Sequence, residues 1–163
     1  MPTVKLLLDD ELEYDFTLIA IHCSLDDYRI AFMINKYLGL QLKRRRKDID
    51  YKETDYSALF PLYTFEDHRK YVYYSLVGNK CRTKISGVTS NDGLFAPLIS
   101  ERYKAIHLLS EVKKADYLFK IETDSNTFAK AALLAQLNQI PQIVTAYEVD
   151  FQNMKSKKNL IFE

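Results

Sequence analysis

Tryptophan is absent from this chain of 163 residues, and glycine, proline and cysteine occur only four, four and two times. So few glycines and prolines argue against long disordered linkers, which are rich in both. The two cysteines, Cys23 and Cys81, are too few to form a disulfide framework. We therefore expect two free thiols in a reducing compartment.

Long apolar runs are also missing. No window approaches the 18 uninterrupted apolar residues that a membrane span requires, so we expect no membrane partner. The N-terminal stretch MPTVKLLLDDELEYD has only three leucines before its acids. A secretory signal has a longer apolar segment without charge. These features together predict a cytoplasmic protein.

Motifs that carry chemistry are scarce. No glycine-rich phosphate loop occurs, and no pair among the soft ligands has zinc-site spacing; these ligands are His22, Cys23, His68, Cys81 and His107. We therefore predict no metal and no cofactor, and we identify no small-molecule substrate. Cys23 is the best candidate nucleophile, but neighbouring strand residues point to opposite faces, so His22 cannot easily serve it as a base. The prediction is no catalytic residue, with a non-enzymatic role favoured over an enzymatic one.

What the chain does contain is many short segments rich in aromatic and branched residues, including 12 tyrosines and nine phenylalanines. Such segments are typical of strands. The predicted strands are 16–23, 40–50, 58–65, 71–77, 81–85, 103–109, 116–121 and 143–149. Two helices are predicted, 24–38 and 127–138, together with an exposed loop near 86–98 and a polar C-terminal tail near 153–159. Strands joined by short turns predict one α+β domain over 1–163, with a mostly antiparallel sheet and both main helices packed on it.

The first predicted helix has an unusually wide apolar surface. A helix that packs on one sheet needs an apolar arc of roughly 100°, and the arc here is about twice as wide. Either another part of the chain or another subunit covers the second side. We predict a homodimer, with Tyr28, Phe32 and Tyr37 as candidate contacts.

The stretch LQLKRRRKDID contains five consecutive cations, Lys43, Arg44, Arg45, Arg46 and Lys47. Such a run can bind a polyanion. A strand over 40–50 would instead divide the charge between two faces. Acidic residues that could neutralise it follow at once or lie near the N-terminus: Asp48, Asp50, Glu53, Asp55, Asp9, Asp10, Glu11, Glu13 and Asp15. No RNA-binding signature accompanies the run, so the sequence favours a solvated strand.

The stretch LSEVKKADY, residues 109–117, is similar to the signature of the bacterial IPExxxVDY proteins. It keeps Glu111, Asp116 and Tyr117, and has Leu109, Ser110 and Ala115 in place of Ile, Pro and Val. The resemblance extends to other short motifs, among them Tyr14–Ile19, Leu38–Leu40, Ile140–Pro141 and Asn159–Phe162. It implies a cytoplasmic bacterial protein and transfers no catalytic residue. Glu111 has a plain structural interpretation as a carboxylate in a first helical turn, and Tyr117 one as a packed aromatic.

Three functional classes follow from the sequence. A self-associating interaction or scaffold protein fits the wide apolar helix and is favoured. A nucleic-acid accessory protein that uses Lys43–Lys47 is the alternative, and an enzyme of unrecognised type is a further alternative.

Overall fold

The computed structural model describes residues 15–85, 103–125 and 128–162. Its ten strands are Thr17–Cys23 (β1), Lys43–Arg44 (β2), Ile49–Lys52 (β3), Ser57–Phe60 (β4), Leu62–Asp67 (β5), Val72–Gly78 (β6), Lys80–Lys84 (β7), Tyr103–His107 (β8), Tyr117–Thr123 (β9) and Ile143–Glu148 (β10). Two α-helices are Asp27–Leu38 (α1) and Lys130–Asn138 (α2), and two 3₁₀ helices are Ser110–Val112 (η1) and Lys155–Leu160 (η2).

Six strands form the main sheet in the order β10-β1-β9-β6-β5-β2. Every neighbouring pair in it is antiparallel. Two further antiparallel hairpins, β3–β4 and β7–β8, make separate two-stranded sheets. The fold class is α+β with a mostly antiparallel sheet, as the sequence predicts.

Alternation along the strands gives the main sheet two apolar faces. One face packs against the helices: strand residues such as Ile19, Tyr74 and Phe119 join Ile34 of α1 and Leu137 of α2 in one buried cluster. Both main helices therefore lie on the same side of the sheet. The helix layer has its own outer surface, on the side of α1 away from this cluster.

The opposite face of the sheet is covered by the hairpins and by the C-terminal segment. Leu118 of β9 and Val77 of β6 share a second buried cluster with Phe60 of β4, Ile106 of β8 and Leu160 of η2. The segment expected as a polar tail near 153–159 thus includes most of η2, which ends at a fully buried leucine.

A buried lysine lies under this C-terminal segment. Lys120 of β9 is 5% exposed, and its Nζ donates to the carbonyl oxygen of Leu160 at 2.9 Å. The same Nζ lies 4.6 Å and 4.9 Å from the ring centroids of Phe16 and Phe162, and 3.0 Å from a carboxylate oxygen of Glu122. The charge is therefore compensated by a carboxylate, a carbonyl and two ring faces.

Asparagines on the two helices bond the outer parts of the sheet. Asn35 of α1 accepts from the backbone N–H of Leu42, next to β2, and donates to its carbonyl. Asn138 of α2 makes the same pair of bonds with Ala146 of β10. Because β2 and β10 are the edge strands, these amides occupy backbone groups that another strand could otherwise pair with.

Several predicted boundaries differ from the observed ones. The single strand predicted over 40–50 is wrong, since β2 has only two residues and a bend separates it from β3. The strand predicted over 58–65 is divided at Pro61, which has no N–H to donate. The strand predicted over 81–85 is observed as Lys80–Lys84 and pairs with β8. The predicted loop near 86–98 lies outside the described residues.

Candidate functional site

Helix α1 has one buried face and one exposed aromatic face. Ile30, Ala31 and Ile34 are buried against the sheet. On the other side Tyr28 and Phe32 are 58% and 64% exposed. They lie four residues apart and are therefore neighbours on the helix surface. Within the described residues, the wide apolar arc predicted for this helix is covered on one side only.

Cations flank these two rings. Arg29 and Lys36 are exposed, and the Arg29 guanidinium carbon lies 5.8 Å from the Tyr28 ring centroid. Tyr37 is 39% exposed but lies about 140° around the helix from Phe32. We call Tyr28, Arg29, Phe32 and Lys36 the outer face of α1.

The neighbouring helix α2 packs beside α1. Its exposed residues are the alanines Ala131, Ala132 and Ala135 and the polar residues Lys130, Gln136 and Asn138. The helix layer thus has a surface of aromatic, cationic, amide and small side chains.

The five consecutive cations lie at the opposite end of the main sheet from β10. Lys43 and Arg44 form β2, an edge strand whose partners in β5 are Thr64 and Tyr63. Arg45 to Lys47 leave the strand through a bend, and all five are exposed. The predicted division of charge between two strand faces therefore applies to Lys43 and Arg44 alone. We call Lys43–Lys47 the basic turn.

Few of the acids expected to neutralise the basic turn do so. Asp48 binds Arg44 through both carboxylate oxygens at 3.0 Å. Asp50 instead binds Lys52 and Ser57, and Glu53 accepts from Tyr51. The acids at 9–13 lie outside the described residues. Where the structure describes carboxylates, none lies within 4.0 Å of the side-chain nitrogens of Lys43, Arg45, Arg46 or Lys47.

An open groove of about 600 Å³ runs along the basic turn. Its lining residues are Arg44, Arg45, Arg46, Lys47, Asp48, Asp50 and Leu59. Both lining carboxylates already have cationic partners. Positive charge therefore dominates the groove.

A polar network holds the start of α1 next to the basic turn. The Asp27 carboxylate accepts from the Tyr63 hydroxyl at 2.8 Å and lies 3.6 Å from the Arg44 guanidinium. Burial and the hydrogen bond to Asp27 raise the pKa of Tyr63 to about 12, so this hydroxyl stays protonated and donates. Arg44 is thereby fixed between Asp27 and Asp48.

The three retained signature residues each join separate parts of the chain. Glu111 accepts from the backbone N–H and the hydroxyl of Ser156 in η2. Asp116 accepts from the backbone N–H of Cys23 and from Lys80. The Tyr117 hydroxyl donates to the Leu25 carbonyl just before α1, and burial is the main cause of its raised pKa. The carboxylate expected to stabilise its own helical turn thus also caps a second one.

Asn79 organises this region and was not identified from the sequence. It is fully buried, and its side chain donates to the carbonyls of Val112 and Ala115 while accepting from the N–H of Leu109. In the sequence Asn79 is simply the residue between Gly78 and Lys80. Its partners lie about thirty residues away, so no local pattern indicated this role.

Cys23 and His22 point to opposite faces of β1, and the carboxylate near Cys23 is that of Asp116, which accepts from the Cys23 backbone N–H. Cys23 is 3% exposed within the helix-side cluster, and burial raises the pKa of its thiol. His22 contacts the Tyr147 hydroxyl at 3.1 Å through Nε2. The predicted separation of these two side chains is therefore confirmed.

Three further observations concern other functions. Over residues 15–85, 103–125 and 128–162, no three His, Cys, Asp or Glu side chains come together as metal ligands would. No helix in the same ranges has the length and apolar character of a membrane span. Comparisons of the chain with protein-family models, with curated proteins and with solved structures give no match.

Proposed function

We propose that this is a non-enzymatic interaction protein that pairs with a second copy of itself through the outer face of α1. The observation that carries the proposal is the exposure of Tyr28 and Phe32 at 58% and 64% on adjacent turns of one helix. A ring exposed to this extent leaves on the order of 100 Å² in water, and its burial contributes roughly 2.5 kcal/mol. Symmetric pairing buries two copies of each ring, one from each subunit.

The order of residues on α1 favours an antiparallel pair. Tyr28 and Lys36 lie four residues before and four residues after Phe32. A twofold axis at Phe32 therefore brings the two Phe32 rings together and sets each Tyr28 opposite Lys36 of the partner subunit. A lysine over a tyrosine ring is an attractive cation–π pair.

A parallel pairing of the same helices is less favourable. It would set Arg29 against Arg29 of the partner subunit and Lys36 against Lys36 of the partner subunit. Like charges that face each other across an interface repel. The outer face of α1 is thus complementary to a second copy of itself only when the two helices are antiparallel.

Substitution of Phe32 tests the pairing. For the unmodified chain, sedimentation equilibrium should fit a monomer–dimer equilibrium. Phe32→Asp should raise the dimer dissociation constant about 100-fold, because each dimer loses two central rings and gains two facing carboxylates. The matched control is Tyr71→Asp, since Tyr71 is 78% exposed but lies in the β5–β6 turn; it should leave the constant unchanged.

Two results would contradict the proposal. One is a monomer at every concentration of the unmodified chain. The other is an equal effect of Phe32→Asp and Tyr71→Asp, which would indicate association through general surface hydrophobicity.

Two further expectations belong to this proposal. Both cysteines are free, which agrees with a reducing compartment, and we place the protein in the cytoplasm. Membership of the IPExxxVDY family is supported by Glu111, Asp116 and Tyr117, because each makes a side-chain bond between distant segments. These bonds give the three signature residues a structural reason to occur together.

A further inference from the structure

We propose that the basic turn binds the phosphate backbone of single-stranded RNA. This inference goes beyond self-association and does not depend on it. It rests on the uncompensated charge of Arg45, Arg46 and Lys47 and on the groove that these residues line.

The groove presents cations that are free to bind an anion. Its two carboxylates, Asp48 and Asp50, are paired with Arg44 and Lys52. Arg45, Arg46 and Lys47 are exposed and have no carboxylate within 4.0 Å among the described residues. A phosphate that binds there displaces only water and counterions, whereas one at Arg44 competes with Asp48 and Asp27.

The spread of the cations favours a chain of phosphates over a single phosphate group. Five consecutive residues extend over at most about 14 Å between their first and last Cα atoms. Arg45, Arg46 and Lys47 would have to share a single phosphate group, whereas a chain of phosphates offers a separate anion to each. A polynucleotide offers a phosphate at each step and releases counterions as it binds.

The lining of the groove also predicts the kind of recognition. Among the described residues that line it, Leu59 is the only apolar one, and none is an aromatic side chain on which a base could stack. Contacts to phosphates position a nucleic acid but do not read its sequence. We therefore infer binding without sequence preference. An anionic bilayer also presents phosphates, so vesicles serve as the competing ligand in the test.

The salt dependence of RNA binding tests this inference. Fluorescence anisotropy would follow a labelled single-stranded RNA of mixed sequence, titrated with the full chain at several NaCl concentrations. Three phosphate contacts predict a slope of log K against log[NaCl] of about −2. The double variant R45E/R46E should reduce the slope to about −0.7 and weaken binding at least tenfold.

A control with the same change of charge distinguishes the groove from net charge. Lys113 and Lys114 are adjacent and exposed, and neither lines the groove. K113E/K114E should bind RNA within about twofold of the unmodified chain, with thermal melting confirming that both variants fold. Phe32→Asp should also retain binding, which separates this inference from the proposed pairing.

Three results would overturn the inference. They are no measurable binding of RNA at low salt, equal losses in the R45E/R46E and K113E/K114E variants, and binding to phosphatidylserine vesicles under conditions where RNA does not bind. The last result would assign the basic turn to a membrane surface.

Discussion

Asn79 shows how much one buried side chain can organise. The side-chain amide of Asn79 makes hydrogen bonds to backbone groups of Leu109, Val112 and Ala115. The backbone N–H and carbonyl of Asn79 make hydrogen bonds to Asp116 and Leu108. The segment 108–116 is therefore held at both ends and in its middle by a single residue. None of the described buried side-chain nitrogens and oxygens is left without a hydrogen-bond partner.

Loss of this amide should destabilise the fold strongly. Asn79→Ala removes the bonds to the Leu109 N–H and the Ala115 carbonyl, while the Val112 carbonyl keeps its bond from the Ala115 N–H. Each unsatisfied buried group costs about 1–3 kcal/mol. We expect the free energy of unfolding in urea to fall by about 3 kcal/mol or more. Asn153→Ala changes an exposed residue and should stay within about 0.5 kcal/mol of the unmodified chain. Equal midpoints for both variants would refute the role assigned to Asn79.

Sequence patterns have limited reach at the residue scale. The alternation of neighbouring strand residues predicted that His22 and Cys23 point apart, and the structure confirms it. That inference needed only the alternation of a strand. The role of Asn79 depends on hydrogen-bond partners some thirty residues away in the sequence. The tertiary fold brings such partners together, so no local pattern predicts them.

At the scale of elements, the carboxylate of Glu111 fixes the position of η2. It accepts from the N–H and hydroxyl of Ser156, in the first turn of that helix. Burial opposes ionisation, but the bonds from Ser156 outweigh it and lower the pKa of Glu111 from 4.5 to about 2. The ionised carboxylate thus keeps the C-terminal segment on the sheet.

This pKa predicts a contribution to stability that depends on pH. Because the folded-state pKa is depressed, the contribution is complete above the unfolded-state value of 4.5 and is lost as the pH falls toward 2. The free energy of unfolding should therefore fall more steeply between pH 5 and pH 2 in the unmodified chain than in Glu111→Gln. Urea titrations at half-unit pH steps measure both slopes. Parallel curves for the two proteins would show that Glu111 does not contribute.

Elements were predicted well where a pattern was long, and poorly where it was short. β1 and β10 lie close to their predicted ranges because alternation or an apolar run continues over the whole strand. The single strand predicted over 40–50 was wrong because apolar–polar alternation ends at Leu42, and the chain bends after Arg44. The second helix begins at Lys130, three residues later than predicted.

At the scale of the whole molecule, the order of the strands was beyond the reach of the sequence. β1 lies between β9 and β10, whose sequence positions are more than ninety residues away. No local pattern specifies such neighbours. The aromatic residues of α1 and the cations of the basic turn could be identified from the sequence. Their exposure and their hydrogen-bond partners could not, because both depend on the assembled sheet.

Disulfide trapping tests the antiparallel pairing of α1 most directly. In a Cys81→Ser background, Tyr28→Cys and Lys36→Cys can be combined while Phe32 is kept. Positions 28 and 36 of one helix are about 12 Å apart, which exceeds the roughly 7 Å Cα separation that a disulfide can bridge. Any bond between them must therefore join two copies.

The pairing predicts a covalent dimer for the double variant under mild oxidation, detected on a non-reducing gel. Neither single variant should form one in comparable yield, because like positions lie far apart across an antiparallel pair. Equal yields of dimer from the single and double variants, or no dimer from the double variant, would contradict pairing of α1 about Phe32.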